Sequence, residues 1–406
     1  MQMIGLVISC LFIGQLSDMF GRRKVLLVSY SSIFILQLIS SFTFSLDTFI
    51  ISRFALGLFT GAVITVTGIY VIECLPTSYR FCISTIITWA PNYILFALAG
   101  YLSQNWRVLS RISAATTLIS VIILFFLEES PIFLIQKKRI EDAIKALTGI
   151  NRFSRSKASP SIIREVVKRE SGEETIALLD MGTPPSTEKK KKIYTMFHLY
   201  STRKLAIRTI ICSYSSFCLS LITYALMFNM HSIGGSVYLN MLYSGILRYI
   251  IGAAVACLDH FGKDRVGRRQ LHVITFGCVT LCLIINFVIF MTGYSQDMEM
   301  FIRMLGLFAF GLTGCIFLQI TVGISELFPT VVRTLASSHI NVCGRIANVF
   351  GPMVFSMDFG IPGLPYGFLA LLGLIDIVLY FVLIPETKGC RLPNAMPMRK
   401  LKKVQS

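Results

Sequence analysis

Apolar residues in this chain come in long runs rather than in alternation. Eleven runs stand out, at roughly 1–16, 25–45, 48–72, 81–103, 108–127, 206–230, 236–258, 271–293, 300–323, 335–357 and 363–384. Many reach the ~20 residues that a helix needs to cross a bilayer. Hydrocarbon offers no partner to bare backbone groups, so runs of this length predict helices. Segments one to five form one group and six to eleven another, separated by a polar stretch, 128–205, that holds 16 Lys or Arg. The expected fold is all-α and polytopic, with about eleven transmembrane helices. Its parts are an N-terminal bundle at 1–127, a basic loop at 128–205, a C-terminal bundle at 206–385 and a basic tail at 386–406.

Composition agrees with the pattern. The chain is 54% hydrophobic and 15% charged, where a soluble domain carries about 25% charged residues. Its net charge of +17 in a soluble protein would point to nucleic acid. Here the charge is gathered in particular loops, so topology explains it, no nucleic-acid partner is expected and the lipid bilayer is the expected surrounding. The loops after segments one, three, seven and nine, with the tail, hold 15 Lys or Arg, among them Arg22, Arg23, Lys24, Lys263, Arg268, Arg269, Lys402 and Lys403. The opposite side offers Arg107, Arg111 and Arg303. The positive-inside rule puts the first set, the long loop and the C-terminus in the cytoplasm, and the plasma membrane is the expected location. Met1 then falls outside. The first segment is short, has no basic flank and lacks the features of a signal peptide. Five segments before the loop against six after it lead us to expect that one helix, and whatever preceded it, is absent from the chain.

The eleven cysteines fall mostly in or beside apolar runs. Without a CxxC they read as small buried hydrophobes, not as a disulfide framework or zinc site. No Walker A motif, Rossmann glycine pattern, His/Cys metal cluster or nucleophile elbow is present. No cofactor, metal or enzymatic catalysis is expected. The sequence is silent on oligomeric state.

Comparing the chain with itself exposes a repeat. Asp18-Met-Phe-Gly21-Arg22-Arg23 recurs as Asp264-Arg-Val-Gly267-Arg268-Arg269, and Glu73-Cys-Leu-Pro76-Thr77-Ser-Tyr-Arg80 as Glu326-Leu-Phe-Pro329-Thr330-Val-Val-Arg333. Arg53 with Gly57 recurs as Arg303 with Gly306. Three matches in the same order, at offsets of 246, 253 and about 250, indicate two parallel-related halves. Halves joined by a cytoplasmic loop suit a carrier that rocks about a midplane site. Asp259-His-Phe-Gly262-Lys263 also fits the start of the first motif, but Asp264 matches the first copy better.

These motifs resemble the major facilitator superfamily. Asn105-Trp106-Arg107, Glu128-Glu129-Ser130-Pro131, Lys137-Lys138-Arg139 and the closing Pro385-Glu386-Thr387-Lys388-Gly389 narrow the likeness to the organic anion, cation and carnitine carriers among the solute carriers. Sugar porters share part of the pattern. The resemblance implies two pseudo-symmetric helix bundles that carry small organic ions by alternating access, as a uniporter or exchanger. It also implies inner-gate roles for Asp18, Gly21, Arg22, Arg23, Glu73, Arg80, Asp264, Gly267, Arg268, Arg269, Glu326 and Arg333. Family members have twelve spans, and by the resemblance this sequence is expected to start in the second. A sugar or neutral-solute facilitator of the same fold, or a non-transporting remnant that associates with a full-length relative, are the other readings.

Charges inside spans are the substrate-site candidates, since each costs roughly 2.5–3.5 kcal/mol at a helix centre on insertion scales. Arg345 lies mid-span, 12 residues after Arg333. In the resembling family cation carriers have Asp at this spacing, whereas anion and carnitine carriers have Arg. Arg248 is also mid-span, at a spacing where the resemblance puts Glu in cation carriers. Two arginines in place of acids point to an anionic or zwitterionic substrate, because a guanidinium holds a carboxylate through paired donors. Tyr214 and Tyr224 in one span, and Phe308 and Phe317 in another, are aromatic candidates for lining the site. Asp376, inside the last span, reads as a buried paired acid or a proton relay. Gly57 and Gly61 form a GxxxG packing surface. The lysine run 189–192 reads as a solvated loop.

Overall fold

The computed structural model describes residues 1–74, 90–153, 159–171, 196–229, 235–261, 267–356, 360–361 and 363–386. Among them are fourteen α-helices and no strand. Five belong to the first half of the sequence: α1 (Gln2–Phe20), α2 (Arg22–Ser41), α3 (Leu46–Cys74), α4 (Ala90–Ser103) and α5 (Trp106–Phe126). Three short helices follow, α6 (Pro131–Gln136), α7 (Ile140–Phe153) and α8 (Pro160–Ser171). The second half supplies α9 (Arg203–Phe228), α10 (Val237–Phe261), α11 (Arg268–Met291), α12 (Glu299–Leu327), α13 (Thr330–Phe350) and α14 (Leu364–Leu383). Eight of the described helices are long and apolar enough to cross a membrane.

Each of the eleven apolar runs overlaps one of the eleven longer α-helices outside the central stretch. The differences lie at the ends, where polar residues carry a helix past its apolar run. α1 continues to Phe20 and α2 starts at Arg22, so the Asp18–Arg23 motif sits on a one-residue break between two helices. Gly21 makes that break with φ of +104°, a conformation that side chains disfavour. α13 begins at Thr330, inside the second Glu-Pro-Thr motif. α10 closes at Phe261, and Asp264 lies outside the described residues.

The chain divides into two compact units, Met1–Arg80 with Trp106–Ile193, and Phe81–Asn105 with Tyr194–Ser406. α4 therefore counts with the second unit, where it packs on α10. In the first unit α1 lies on α3 through small residues. A Cβ at Gly5 would run into the Phe54 carbonyl, one at Gly57 into the Gln2 carbonyl, and one at Gly61 would meet the Leu6 carbonyl at 2.9 Å. The GxxxG is thus a backbone-to-backbone contact, as small-residue pairs in membranes provide. α6, α7 and α8 close over a small apolar cluster of Phe133, Leu134, Ala143, Ala146 and Val167. Ser130 caps α6 by accepting from the Phe133 N–H.

The second unit has the larger core, with Phe276, Phe310, Phe328, Leu283, Ile316 and Leu369 fully buried. Other large apolar residues stand outward, such as Leu371, Val378 and Phe381 on α14. A lipid-facing surface explains this, because burial against acyl chains needs no protein partner. The same reason corrects the cysteine reading. Nine cysteines are free among the described residues, but Cys257 and Cys278 are exposed rather than buried.

Candidate functional site

In the first unit the repeated motif forms a clasp at the α1–α2 break. The Arg22 guanidinium lies 2.7 Å from Asp18 and 3.2 Å from Glu73 of α3. It also donates to the Ser17 carbonyl (3.0 Å) and lies over the Phe133 ring. Arg22 is only 5% exposed. A guanidinium so far from water is tolerable only because two carboxylates and a carbonyl take its donors. Arg23 does something different. Its backbone N–H donates to Glu129 (2.9 Å), while its side chain donates to the Leu124 and Phe125 carbonyls at the end of α5. Glu129 thus sits on the N-terminus of α2, where the helix dipole and open N–H groups favour an anion.

The second unit repeats the arrangement. Arg268 of α11 lies 3.5 Å from Glu326 of α12. The backbone N–H groups of Arg268 and Arg269 donate to the two oxygens of Glu386, at 2.6 and 3.2 Å. The Arg269 side chain donates to the Phe381 carbonyl at the end of α14 and lies over the Phe381 ring. Glu386 fills the space where a Gly267 Cβ would stand, and Glu129 approaches Gly21 in the same way. Glu129 and Glu386 therefore form a fourth repeat pair, 386 minus 129 or 257 residues apart. Sequence reading did not match them, because Glu129-Ser-Pro and Pro-Glu386-Thr share too little local wording. The nearly constant offset was the available signal. Of the other candidates, Arg80, Asp264 and the side chain of Arg333 lie outside the described residues.

The mid-span candidates also fall in the second unit, and three of them meet. Tyr224 of α9 is within hydrogen-bonding reach of Arg345 of α13, and in the electrostatic range of Arg248 and Tyr93. Arg248 of α10 donates to the Tyr93 hydroxyl of α4 (3.3 Å), and its guanidinium lies 5.4 Å from the Tyr93 ring centre and 5.0 Å from that of Phe310. Gly314 leaves the space that its side chain crosses. The result is two half-buried guanidinium groups and two phenols gathered between α4, α9, α10 and α13. Tyr93 was not singled out from the sequence, where a tyrosine in a fourth apolar run carries no distinguishing mark. Tyr214 goes elsewhere, donating to the Leu372 carbonyl of α14 (3.2 Å). Phe308 and Phe317 stand on α12, 40% and 37% exposed.

A helical fold of this kind, with a duplicated ionic clasp, defines an integral membrane protein of the major facilitator class. The chain belongs to the sugar (and other) transporter family, whose model matches residues 1–398. It is similar to solute carrier family 22 member 16 of Homo sapiens, 29% identical over 403 residues, and of Bos taurus, 27% identical over 397. The alignments cover 96% and 95% of this chain, which spans 64% of each relative's length. Among solved structures it resembles the proton:xylose symporter XylE of E. coli, with a TM-score of 0.70, 17% identity, and coverage of 96% of this chain and 86% of that one. At that identity the likeness speaks for the fold.

Proposed function

We propose that the chain acts as a membrane carrier of small organic ions, anionic or zwitterionic, working by alternating access as a uniporter or exchanger. The observation that carries the reading is the meeting of Arg345 and Arg248 around Tyr224. Two cations drawn together in an apolar helix bundle repel one another, and a carboxylate between them would relieve both. Arg345 is the main anion-holding group, through paired donors. Tyr224 orients the ligand, and Arg248, already partnered by Tyr93, supplies the field. The two clasps are the gate. Each joins several ionic contacts that together bias one state without locking it. In this reading the gate, the central loop and the tail lie on the cytoplasmic side of the plasma membrane, and the chain is a carrier rather than an enzyme.

A sugar facilitator is the second reading, favoured by the family's name and by the fold shared with a xylose symporter. The half-buried arginine pair argues against it, since a neutral sugar leaves both charges uncompensated. The third reading is a chain that associates with a longer relative without transporting. Uptake by proteoliposomes holding the 406-residue chain separates the three, with radiolabelled p-aminohippurate, carnitine, tetraethylammonium and glucose as probes. We expect saturable uptake of p-aminohippurate or carnitine that Arg345→Asp abolishes while membrane insertion persists. Glucose uptake insensitive to that change, or no uptake of any probe, overturns the proposal.

A further inference from the structure

Beneath the second clasp lies a buried pair of titratable groups that the carrier reading does not use. His272 of α11 and Asp376 of α14 are both fully buried, with Nε2 3.1 Å from Oδ2. The Ser215 hydroxyl of α9 lies 3.3 Å from the same nitrogen. The Tyr380 ring is stacked on the imidazole, with centres 3.8 Å apart. Among the described residues neither His272 Nδ1 nor Asp376 Oδ1 has a partner. Each member thus keeps one open polar position, in a place so dry that an unmet polar atom costs about 1–3 kcal/mol.

The charge balance gives the orphans a use. With Nε2–H donating to a carboxylate, the pair carries one buried negative charge and Nδ1 presents a bare lone pair. One proton added at Nδ1 makes the pair neutral overall and breaks no existing hydrogen bond. The face of Tyr380 lies against the ring that would then be cationic, which favours that form. The other elements packed against the pair bring their own polar groups. α9 brings Cys212, Tyr214 and Cys218 into the range of Asp376, with Arg208 near Cys212. α12 brings Gln319, which accepts from Thr275, and Glu326. α14 and its end bring Tyr380 and Glu386. The fixed cations nearest in sequence are Arg269 and Arg268, about one helical turn from His272 and both already engaged in the clasp.

We propose that His272 and Asp376 form a single proton-binding site whose occupancy biases the Arg268–Glu326–Glu386 clasp. The ligand is a proton, and the site stands independently of the substrate reading. Linkage works through Tyr380, which is stacked on His272 and lies in the range of Asp376, Glu326 and Glu386.

The test uses the 406-residue chain in lipid nanodiscs, labelled with ¹⁵N-histidine and ¹³Cγ-aspartate. A dipolar filter selects histidine nitrogens next to an aspartate carboxyl, and Asp376→Asn identifies the pair by loss of the filtered signal. If that variant fails to fold, Ser215→Ala, which perturbs the same Nε2, marks it by a change in shift. We expect the imidazole and carboxyl signals to move together in one reversible pH step. Glu386→Gln, which removes a negative charge from the same corner, should move the midpoint to lower pH. Signals that keep one protonation state over the whole range in which the protein stays folded reduce the pair to a structural bond and overturn the proposal. A step seen on one member and not on the other, or a midpoint indifferent to Glu386→Gln, overturns it equally.

Discussion

Arg22 reaches Glu73 across 3.2 Å from a helix break to the far end of α3, and Arg268 reaches Glu326 at 3.5 Å in the same relation one repeat later. The first pair is the drier, with side chains 7% and 13% exposed against 21% and 21%. Loss of a partner should therefore be felt more in the first unit. Glu73→Ala leaves Arg22 with Asp18 and the Ser17 carbonyl, and should cost about 1.5–3 kcal/mol, the range for a hydrogen bond to a charged group. Glu326→Ala should cost less. Thermal unfolding of the two variants in one detergent gives the order, and a larger drop for Glu326→Ala contradicts it.

Gly267 and Glu386 compete for one volume. Gly267→Ala should push the Glu386 carboxylate off the α11 N-terminus, and Glu386→Ala should remove the same contact. The two changes together should cost less than their sum, with a coupling of about 0.5–3 kcal/mol. A double-mutant cycle on unfolding free energy measures it, and strict additivity would show that the carboxylate is not held there.

Arg248 depends on Gly314 for room and on Tyr93 for a partner. Tyr93→Phe keeps the ring under the guanidinium and removes one hydroxyl, so the expected cost is about 0.5–1.5 kcal/mol. Gly314→Leu should instead expel the side chain from its seat between Tyr93 and Phe310, and should be the worse variant. Unfolding midpoints of the two proteins compare them directly.

Tyr224 should matter to ligand more than to fold. Tyr224→Phe should leave the unfolding midpoint nearly unchanged, yet weaken uptake of an anionic probe about tenfold, as expected for one lost hydrogen bond of about 1.4 kcal/mol. Equal loss of stability and of uptake would assign the hydroxyl to packing alone.

Much of the fold was legible in the residues themselves. The eleven apolar runs marked the eleven longer helices, because hydrocarbon accepts only segments that satisfy their own backbone. Helix ends were less legible, since α13 begins with the mixed stretch Thr330-Val-Val-Arg333-Thr, which a search for apolar runs passes over. The duplicated Gly-Arg-Arg and Glu-x-x-Pro-Thr wording announced the clasps, because an ion pair needs particular charges at particular helix ends. The roles of Arg22 and Arg23 were not separable, however. Only the placement of α3 and α5 gives one a carboxylate and the other two carbonyls.

The chain's order of residues by itself determined the helical class, the repeat and which charges lie within spans. It named Arg248, Arg345 and Tyr224 singly. What only the tertiary structure decided is company: Tyr93 beside Arg248, Glu129 and Glu386 on helix N-termini, and His272 against Asp376, 104 residues apart. The physical reason is that periodicity reports which side of a helix is apolar, a property of neighbours in sequence. Pairing of a buried charge depends on which distant helix supplies the opposite group, and no local pattern encodes that.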